Sequence, residues 1–275
     1  MPTGTLYIVA TPIGNLEDIT LRAIRTLKEA DVIAAEDTRH TQKLLSRYDI
    51  RTPLTSYHDH NKEEKGPVLV ARLLEGKDVA LVSDAGTPGI SDPGYFLINL
   101  AVDQKVRVIP IPGATAAIAA LSISGLPTDG FVFEGFLPGR QAARRKRLEE
   151  LKEEGRTLVF YEAPHRIINT IEDMAGIFGD RKAVVTRELT KVHEEAIRGS
   201  LAGILEQLNR ASSRGEFTII VHGAEESTAK QDVDTAEYLR NLMLHRGLTK
   251  KDAVAAAAEE LGLPKKDVYR ESLKI

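Results

Sequence analysis

Cysteine is absent from this chain of 275 residues. Its absence excludes disulfide bonds, thiolate nucleophiles and zinc–thiolate sites. Long apolar runs are missing too, since none approaches the roughly 20 residues that span a bilayer. The N-terminus has no charged leader followed by an apolar segment, so we expect no export signal. These absences predict a cytoplasmic protein without a membrane anchor.

An excess of positive charge is also lacking. The formal net charge is −3, which argues against a protein that binds nucleic acid over its whole surface. A local basic patch is still compatible with this charge. Hydrophobic residues make up 42% of the chain and charged residues 28%, as in ordinary soluble globular proteins. The length suits about two domains.

Four common functional motifs are missing. The chain has neither G-x-G-x-x-G nor G-x-x-x-x-G-K-[ST], which disfavours an NAD-type or P-loop enzyme. It also lacks the G-x-S-x-G elbow and the H-E-x-x-H zinc motif. His58 and His60 could mimic a metal-binding pair, but adjacent loop residues rarely converge on one ion without further ligands. We therefore expect a polar surface loop there and no metal site.

Apolar, β-branched runs alternate with helical patterns in the first half of the chain, which predicts a parallel, doubly wound sheet. The predicted strands cover residues 5–10, 32–35, 79–82 and 106–111. The predicted helices cover residues 16–27, with Asn15 as the cap, and residues 68–74 and 114–123.

Past residue 125 the pattern changes to a second set of strands and helices. The predicted strands cover residues 131–136, 157–161, 183–186 and 217–222, and the predicted helices cover residues 140–153, 164–177 and 200–209. A polar stretch at 225–232 predicts a linker. The tail that follows is predicted to be helical, with one helix ending at Gly262 and another beginning at Pro264. The predicted fold is α/β, with α/β domains at residues 1–124 and 125–224 and a small helical domain at 234–275.

The loop after Val79–Val82 is the most informative segment, because it combines glycines, prolines and aspartates. Glycine lets the backbone approach a ligand closely, and aspartate accepts hydrogen bonds from a cationic or hydroxylated ligand. Open α/β sheets bind ligands at the carboxyl ends of their strands. Four other loops of similar chemistry follow predicted strands, at residues 10–15, 36–39, 112–117 and 161–166. Together the five loops predict one shared cleft.

The segments 6–15, 86–88, 112–116 and 157–161 resemble, in order and spacing, the tetrapyrrole methylase family over residues 1–224. The resemblance implies a class III methyltransferase fold, S-adenosylmethionine bound between two α/β domains, and a homodimer. Ile13 and Glu162 replace the family's usual Pro and Met, which implies contacts through their backbone. The cofactor contacts that the resemblance implies, with Pro12 and Asp84 added as neighbours, are Pro12, Ile13, Asp84, Ala85, Gly86, Thr87, Ile90, Thr115, Ala116, Glu162 and Leu189.

The segments 10–16, 36–39, 83–88 and 162–166 resemble the branch of this family that acts on ribosomal RNA. This resemblance implies 2′-O-methylation of a cytidine ribose in the decoding region of small-subunit (16S) rRNA, with the RNA or the assembled small subunit as the partner. Two alternatives stay open. One is methylation of a small molecule such as a tetrapyrrole, and the other is a non-catalytic RNA-binding or ribosome-assembly factor.

A ribose hydroxyl is a poor nucleophile at neutral pH, so a base or a stabilising cation is expected near it. Asp37, Arg39 and His58 are the favoured candidates, and all three stay open for that role. Phosphate contacts come from arginine and lysine, and the densest basic run predicts them at Arg140, Arg144, Arg145, Lys146 and Arg147. The alternative for that run is a solvated helix face balanced by nearby glutamates. The lysines of the tail could provide a second contact with RNA. The alternative is that the tail helices pack on the main body.

Overall fold

Two five-stranded sheets organise the greater part of the chain. The computed structural model describes residues 2–210, 215–225, 234–261 and 263–275. Contacts divide the chain into two units, residues 1–224 and residues 225–275, and both sheets belong to the first unit. This architecture confirms the predicted α/β class with a helical C-terminal part.

The first sheet is entirely parallel, with the strand order β3-β2-β4-β1-β5. Its strands are β1 (Thr5–Val9), β2 (Val32–Ala35), β3 (Leu54–Ser56), β4 (Val79–Val82) and β5 (Arg107–Ile111). Every residue of β2 and β4 is buried, as in parallel sheets that are covered on both faces. The direction of strand addition reverses between β1 and β4, and such a reversal opens a crevice at the carboxyl ends of the strands.

The helices of the first half connect these strands. They are α1 (Leu21–Glu29), α2 (Thr38–Arg47), α3 (Lys62–Leu74), α4 (Tyr95–Asp103) and α5 (Ala116–Ser124). The expected cap at Asn15 was wrong for α1. Asn15 instead caps a short 3-10 helix by accepting a hydrogen bond from the Glu17 N–H at 3.1 Å. The hydroxyl of Thr20 caps α1, at 3.1 Å from the Ala23 N–H.

The second sheet is mixed, with the order β6-β7-β10-β8-β9, and only its β6–β7 pair is parallel. Its strands are β6 (Phe131–Phe136), β7 (Thr157–Glu162), β8 (Lys182–Arg187), β9 (Glu195–Ser200) and β10 (Phe217–Val221). The helices of this half are α6 (Gln141–Glu150), α7 (Ile167–Phe178) and α8 (Leu201–Arg210). Phe160, Met174 and Ile219 are fully buried in the core between the sheet and these helices.

Helix α5 joins the two halves of the first unit. It follows β5 of the first sheet, yet Ala117 and Leu121 of this helix pack with Val159, Val184 and Ile220 of the second sheet. The Tyr161 hydroxyl also accepts a hydrogen bond from the Ala117 N–H at 3.1 Å. The two sheets are therefore connected through a common hydrophobic core.

The second unit contains α9 (Thr235–Arg246), α10 (Lys250–Glu260) and α11 (Lys265–Ser272). A small core that includes Leu239, Val254 and Val268 holds them together. Most of the predicted linker at 225–232 and the predicted helix stop at Gly262 lie outside the described residues. No helix in the described ranges has the length and apolar character that crossing a membrane requires.

Candidate active site

A cleft of about 340 Å³ lies between the strand ends of the first sheet and the second sheet, a volume typical of small-molecule sites. Pro12 is buried, and neither it nor Asp84 is among the residues that line the cleft. Pro12 and Asp84 were added to the prediction only as neighbours, and all nine residues that the family resemblance itself assigned to the cofactor line the cleft: Ile13, Ala85, Gly86, Thr87, Ile90, Thr115, Ala116, Glu162 and Leu189.

The loops that follow β1, β4 and β5 are fixed to one another at the floor of the cleft. Thr11 and Gly86 exchange two backbone hydrogen bonds, at 2.8 and 3.1 Å. Gly86 has a φ of +78°, a conformation that disfavours any residue with a Cβ. A Cβ at Gly113 would lie 2.9 Å from the Ala10 Cβ, so only glycine allows the loop after β5 to pack this closely.

The far end of the β4 loop is held against the second sheet. Ser91 has a φ of +62°. Its hydroxyl oxygen packs against Gly135, where an added Cβ would lie only 2.7 Å from that oxygen. Gly135 sits at the irregularity in the pairing of β6 with β7. These contacts fix the path of the loop between Gly89 and Gly94, and Ile90, Ser91 and Asp92 line the cleft from it.

Glu162 forms part of the opposite wall, and its carboxylate is fully buried. One oxygen accepts a hydrogen bond from the Thr170 hydroxyl at 2.6 Å, and the other accepts one from the Ala163 N–H at 2.8 Å. The Arg166 guanidinium lies 3.2 Å from the second oxygen. The side chain therefore stabilises the loop after β7, which leaves backbone atoms as the groups available to a ligand.

The loop that carries Leu189 crosses to the first sheet. Its Lys191 forms ion pairs with Glu188 at 2.9 Å and with Glu216 at 3.0 Å. The aliphatic part of Lys191 packs where Gly14 has no side chain, since a Cβ there would lie 2.5 Å from the Lys191 Cγ. This contact positions Leu189 against the cleft.

The electrostatic character of the cleft is negative. Within the described part of the chain, no lysine, arginine or histidine lines it, whereas Asp92, Glu162 and Glu216 do. Sites for phosphate-bearing ligands use arginine or lysine, so this lining favours a positively charged ligand.

Asp92 lines the cleft but was not among the predicted site residues, since the sequence pointed only to the aspartates of its loop in general. Burial and the negative charge of Glu36 raise the pKa of the Asp92 carboxyl to about 6, with smaller contributions from Asp84 and Glu216, while a hydrogen bond with Ser83 opposes the rise. Burial raises the pKa of Glu36 as well. A shifted carboxyl inside a cleft is typical of functional sites. The only sequence signal was the position of Asp92 in the glycine- and proline-rich loop.

None of the three predicted catalytic residues lines the cleft. Asp37 caps α2 by accepting hydrogen bonds from the Arg39 N–H at 2.8 Å and the His40 N–H at 3.4 Å. Hydrogen bonds from Arg39 lower the pKa of Asp37, which makes it a weak proton acceptor. The Arg39 side chain is 90% exposed. The Nδ1 atom of His58 is buried and has no hydrogen-bond partner among the described residues.

The geometry around the two loop histidines does not resemble a metal centre. The rings of His58 and His60 lie edge to face with centroids 6.0 Å apart. No group of three or more potential ligand side chains in the described ranges could hold a metal ion.

The predicted RNA-binding run on α6 does not form one exposed surface, and Arg144 is a correction. Its guanidinium is 5% exposed and lies 2.6 Å from the buried Asp173 carboxylate, so it is not available to phosphate. Arg145 also contacts Asp173, at 2.9 Å, but is half exposed. Arg147 pairs with Glu134 and Glu150, each at 2.8 Å. Two members, Arg140 and Lys146, are exposed and make no ion pair with any described residue.

Comparisons with known proteins agree with this architecture. The sequence is 51% identical over 271 residues to "Ribosomal RNA small subunit methyltransferase I" of Halalkalibacterium halodurans, covering 97% of this chain and 93% of that protein. A cobalt precorrin-4 methyltransferase of cobalamin biosynthesis shares the fold, with a TM-score of 0.61 and 20% identity, over 79% of this chain and 94% of that one. Uroporphyrin-III C-methyl transferase from Thermus thermophilus, complexed with S-adenyl homocysteine, has a TM-score of 0.57 and 21% identity, over 80% of this chain and 97% of that one.

Residues 5–205 match the family described as Tetrapyrrole (Corrin/Porphyrin) Methylases, and this span includes the loops on both sides of the cleft up to Leu189. The match covers well over half of the chain. The chain belongs to the tetrapyrrole methylase family.

Proposed function

We propose that this protein is an S-adenosylmethionine-dependent methyltransferase that methylates the 2′-hydroxyl of a cytidine ribose in the decoding region of small-subunit (16S) rRNA. The observation that carries the proposal is the 51% identity, over nearly the whole chain, to a protein named as a small-subunit rRNA methyltransferase. The substrate is either the RNA or the assembled small subunit, and the active form is a homodimer.

The chemistry of the cleft suits this cofactor. S-adenosylmethionine supplies an activated methyl group on a positively charged sulfur, and the lining contains carboxylates but no cationic side chain among the described residues. Ala85, Gly86 and Ala116 offer backbone groups without bulky side chains in front of them. Ile13 and Leu189 provide apolar walls. Because the acceptor and the methyl group must be aligned, a rigid cleft contributes mainly by orientation.

The RNA is held outside the cofactor cleft by exposed cations. Arg39 follows β2 at the same sheet edge, and its neighbour Asp37 donates its backbone N–H to the Asp84 carboxylate at 3.0 Å. We assign phosphate contacts to Arg39 near the cleft, to Arg140 at the N-terminal cap of α6 and to Lys146 within that helix. Such contacts position the substrate without reading its sequence.

The decisive experiment supplies the protein with methyl-labelled S-adenosylmethionine and, in separate reactions, purified small subunits, naked 16S rRNA or a free tetrapyrrole. Nucleoside mass spectrometry should find the label as 2′-O-methylcytidine in the decoding region. Label on a base or on the tetrapyrrole would refute the proposal. Subunit binding without any label would favour the assembly factor instead.

A further inference from the structure

Helices α1 and α2 carry a local excess of positive charge. Together they contain six lysines and arginines but only one carboxylate, that of Glu29. Helices α3 and α4 cover the opposite face of the same sheet and contain three cations and three carboxylates. We define the α1–α2 surface by its six cations, which are Arg22, Arg25, Lys28, Arg39, Lys43 and Arg47.

These six cations form two exposed stripes. The three in α2 recur at every fourth residue, so they share one face of the helix at intervals of about 6 Å along its axis. The three in α1 recur at every third residue and also share a face. All six residues are exposed, whereas Leu27 of α1 and Leu45 of α2 are buried against the sheet. Both stripes therefore face away from the hydrophobic core.

The positive charge of this surface is not neutralised within the chain. Arg39 pairs with Asp37 at 3.4 Å, and the other five cations form no ion pair with any residue that the structure describes. Arg22 and Arg39 lie in the first turns of their helices, where the helix dipole disfavours cations. Like charges four residues apart also repel each other. These charges do not stabilise their own helices, which indicates an anionic partner outside the chain.

Both stripes begin beside the cleft. Helix α1 follows the loop after β1, and Ile13 of that loop lines the cleft. At the start of α2, the backbone N–H of Asp37 donates to the Asp84 carboxylate at 3.0 Å, and the next residue, Ala85, lines the cleft. Since α2 has ten residues, its stripe extends over about 15 Å from this edge of the sheet.

We propose that the α1–α2 surface binds the phosphate backbone of rRNA next to the nucleotide whose ribose enters the cleft. This inference rests on the proposed function and extends it, because it assigns the RNA to a defined surface. Lysine and arginine are the side chains that neutralise phosphates. A second copy of this chain fits the surface less well, since a two-fold interface brings the same patch of both copies together and like charges would repel.

The test compares two variants that each lose one arginine and one lysine. The surface variant is Arg25→Gln/Lys43→Gln. The control is Arg72→Gln/Lys105→Gln, which removes an exposed cation of α3 and another just after α4. Neither control residue forms an ion pair with a described residue. Because both variants change the net charge equally, a difference between them reports the location of the charge.

Filter binding of purified small subunits over a range of salt concentrations measures the contacts. At 0.1 M salt the surface variant should bind about five- to eightfold more weakly for each lost phosphate contact. Its slope of log affinity against log salt concentration should decrease by about one unit per contact. The control should match wild type. In both variants kcat and the affinity for S-adenosylmethionine should stay unchanged, because none of the four residues lines the cleft.

A measurement on the wild-type protein keeps the inference testable even if the surface variant is unstable. Lysine acetylation, followed by mass spectrometry, compares the free protein with the protein bound to small subunits. Bound subunits should protect Lys28 and Lys43 from acetylation, because both lie on the α1–α2 surface. Lys105, which is exposed on another part of the chain, should remain reactive.

Three results would overturn the inference. They are a surface variant with the wild-type salt slope, an equal loss of binding in the control, and acetylation of Lys28 and Lys43 that bound subunits do not reduce. Normal subunit binding, combined with loss of binding to anionic phospholipid vesicles in the surface variant, would assign the surface to a membrane instead. If wild-type protein labels no RNA, the proposed function itself fails, and that outcome is distinct from RNA labelling that does not depend on this surface.

Discussion

Replacing Asp173 with alanine tests whether Arg144 has a structural role. The Asp173 carboxylate is 3% exposed and accepts hydrogen bonds from Arg144 Nε at 2.8 Å and Arg145 at 2.9 Å. Asp173→Ala would leave the Arg144 cation buried without an anion. Breaking a buried pair in this way costs about 3–5 kcal/mol. For a domain of this size that loss corresponds to a decrease in Tm on the order of 10 °C.

Urea unfolding followed by circular dichroism measures the loss, with Arg144→Leu/Asp173→Leu as the matched control. The double variant should unfold at a higher urea concentration than Asp173→Ala, because removing both charges leaves no unpaired ion in the core. Its affinity for rRNA should equal that of wild type. An Asp173→Ala midpoint equal to that of wild type, or weaker RNA binding in a stable double variant, would refute the structural role.

The same pair predicts a dependence of stability on pH. Burial alone would raise the pKa of Asp173, but hydrogen bonds from Arg144, Arg145 and Gln141 outweigh it and the pKa is lowered. A carboxyl with a depressed pKa contributes its full stabilisation above its unfolded pKa of about 3.9. The contribution is lost as the pH falls through the folded value. The difference in unfolding free energy between wild type and Asp173→Ala should therefore be constant near neutrality and shrink below about pH 4.

Three further changes separate the cleft, the RNA surface and the core. Gly86→Ala should weaken S-adenosylmethionine binding in calorimetry by about tenfold or more, because alanine disfavours a left-handed φ by about 1–2 kcal/mol and relief of that strain would displace a loop that lines the cleft. Gly179→Ala is the control, since Gly179 also has a positive φ but lies at the end of α7 and not in the cleft lining, so the affinity should stay unchanged. Equal affinities of the two variants would contradict this prediction. The double variant Arg140→Glu/Lys146→Glu should weaken rRNA binding while Tm stays constant. The slope of log affinity against log salt concentration should decrease by about one unit per lost phosphate contact. An unchanged slope would exclude this surface as an RNA contact. Thr170→Val should lower the unfolding free energy by about 1–3 kcal/mol, because a buried carboxylate oxygen loses its donor, and an unchanged urea midpoint would argue against that hydrogen bond.

Most strands could be predicted because their apolar runs are continuous, as in β2 and β4. Helix α2 was missed although its buried residues Thr41, Leu44 and Leu45 follow helical spacing, whereas the other missed elements lack a clear periodic signal. Helix α4 is apolar around most of its circumference, so it shows no helical stripe. Strand β3 has three residues, and the edge strand β9 carries charged side chains. Local sequence could not distinguish β3 and β9 from loops, because pairing with other strands of the sheet stabilises them.

The candidate site also combines features that local sequence reveals with features that depend on the fold. The small-residue loops near Gly86 and Ala116 carry their function in local backbone geometry, so motifs could locate them. The environment of Asp92 depends on Glu36 and Asp84, which become neighbours only because β2 pairs with β4. For Arg144 a local signal existed, since it lies one helical turn before the buried Leu148 and therefore on the inward face of α6.

The position of α5 has a consequence for how ligands enter and leave. Swinging the sheets apart would bring Leu121, Val159 and Ile220 into water, and this exposure is unfavourable in proportion to the apolar area. Wide separation of the two sheets is therefore an unfavourable route for ligand exchange. We expect ligands to enter and leave the cleft through local rearrangement of side chains and loop tips, with the two sheets staying packed together.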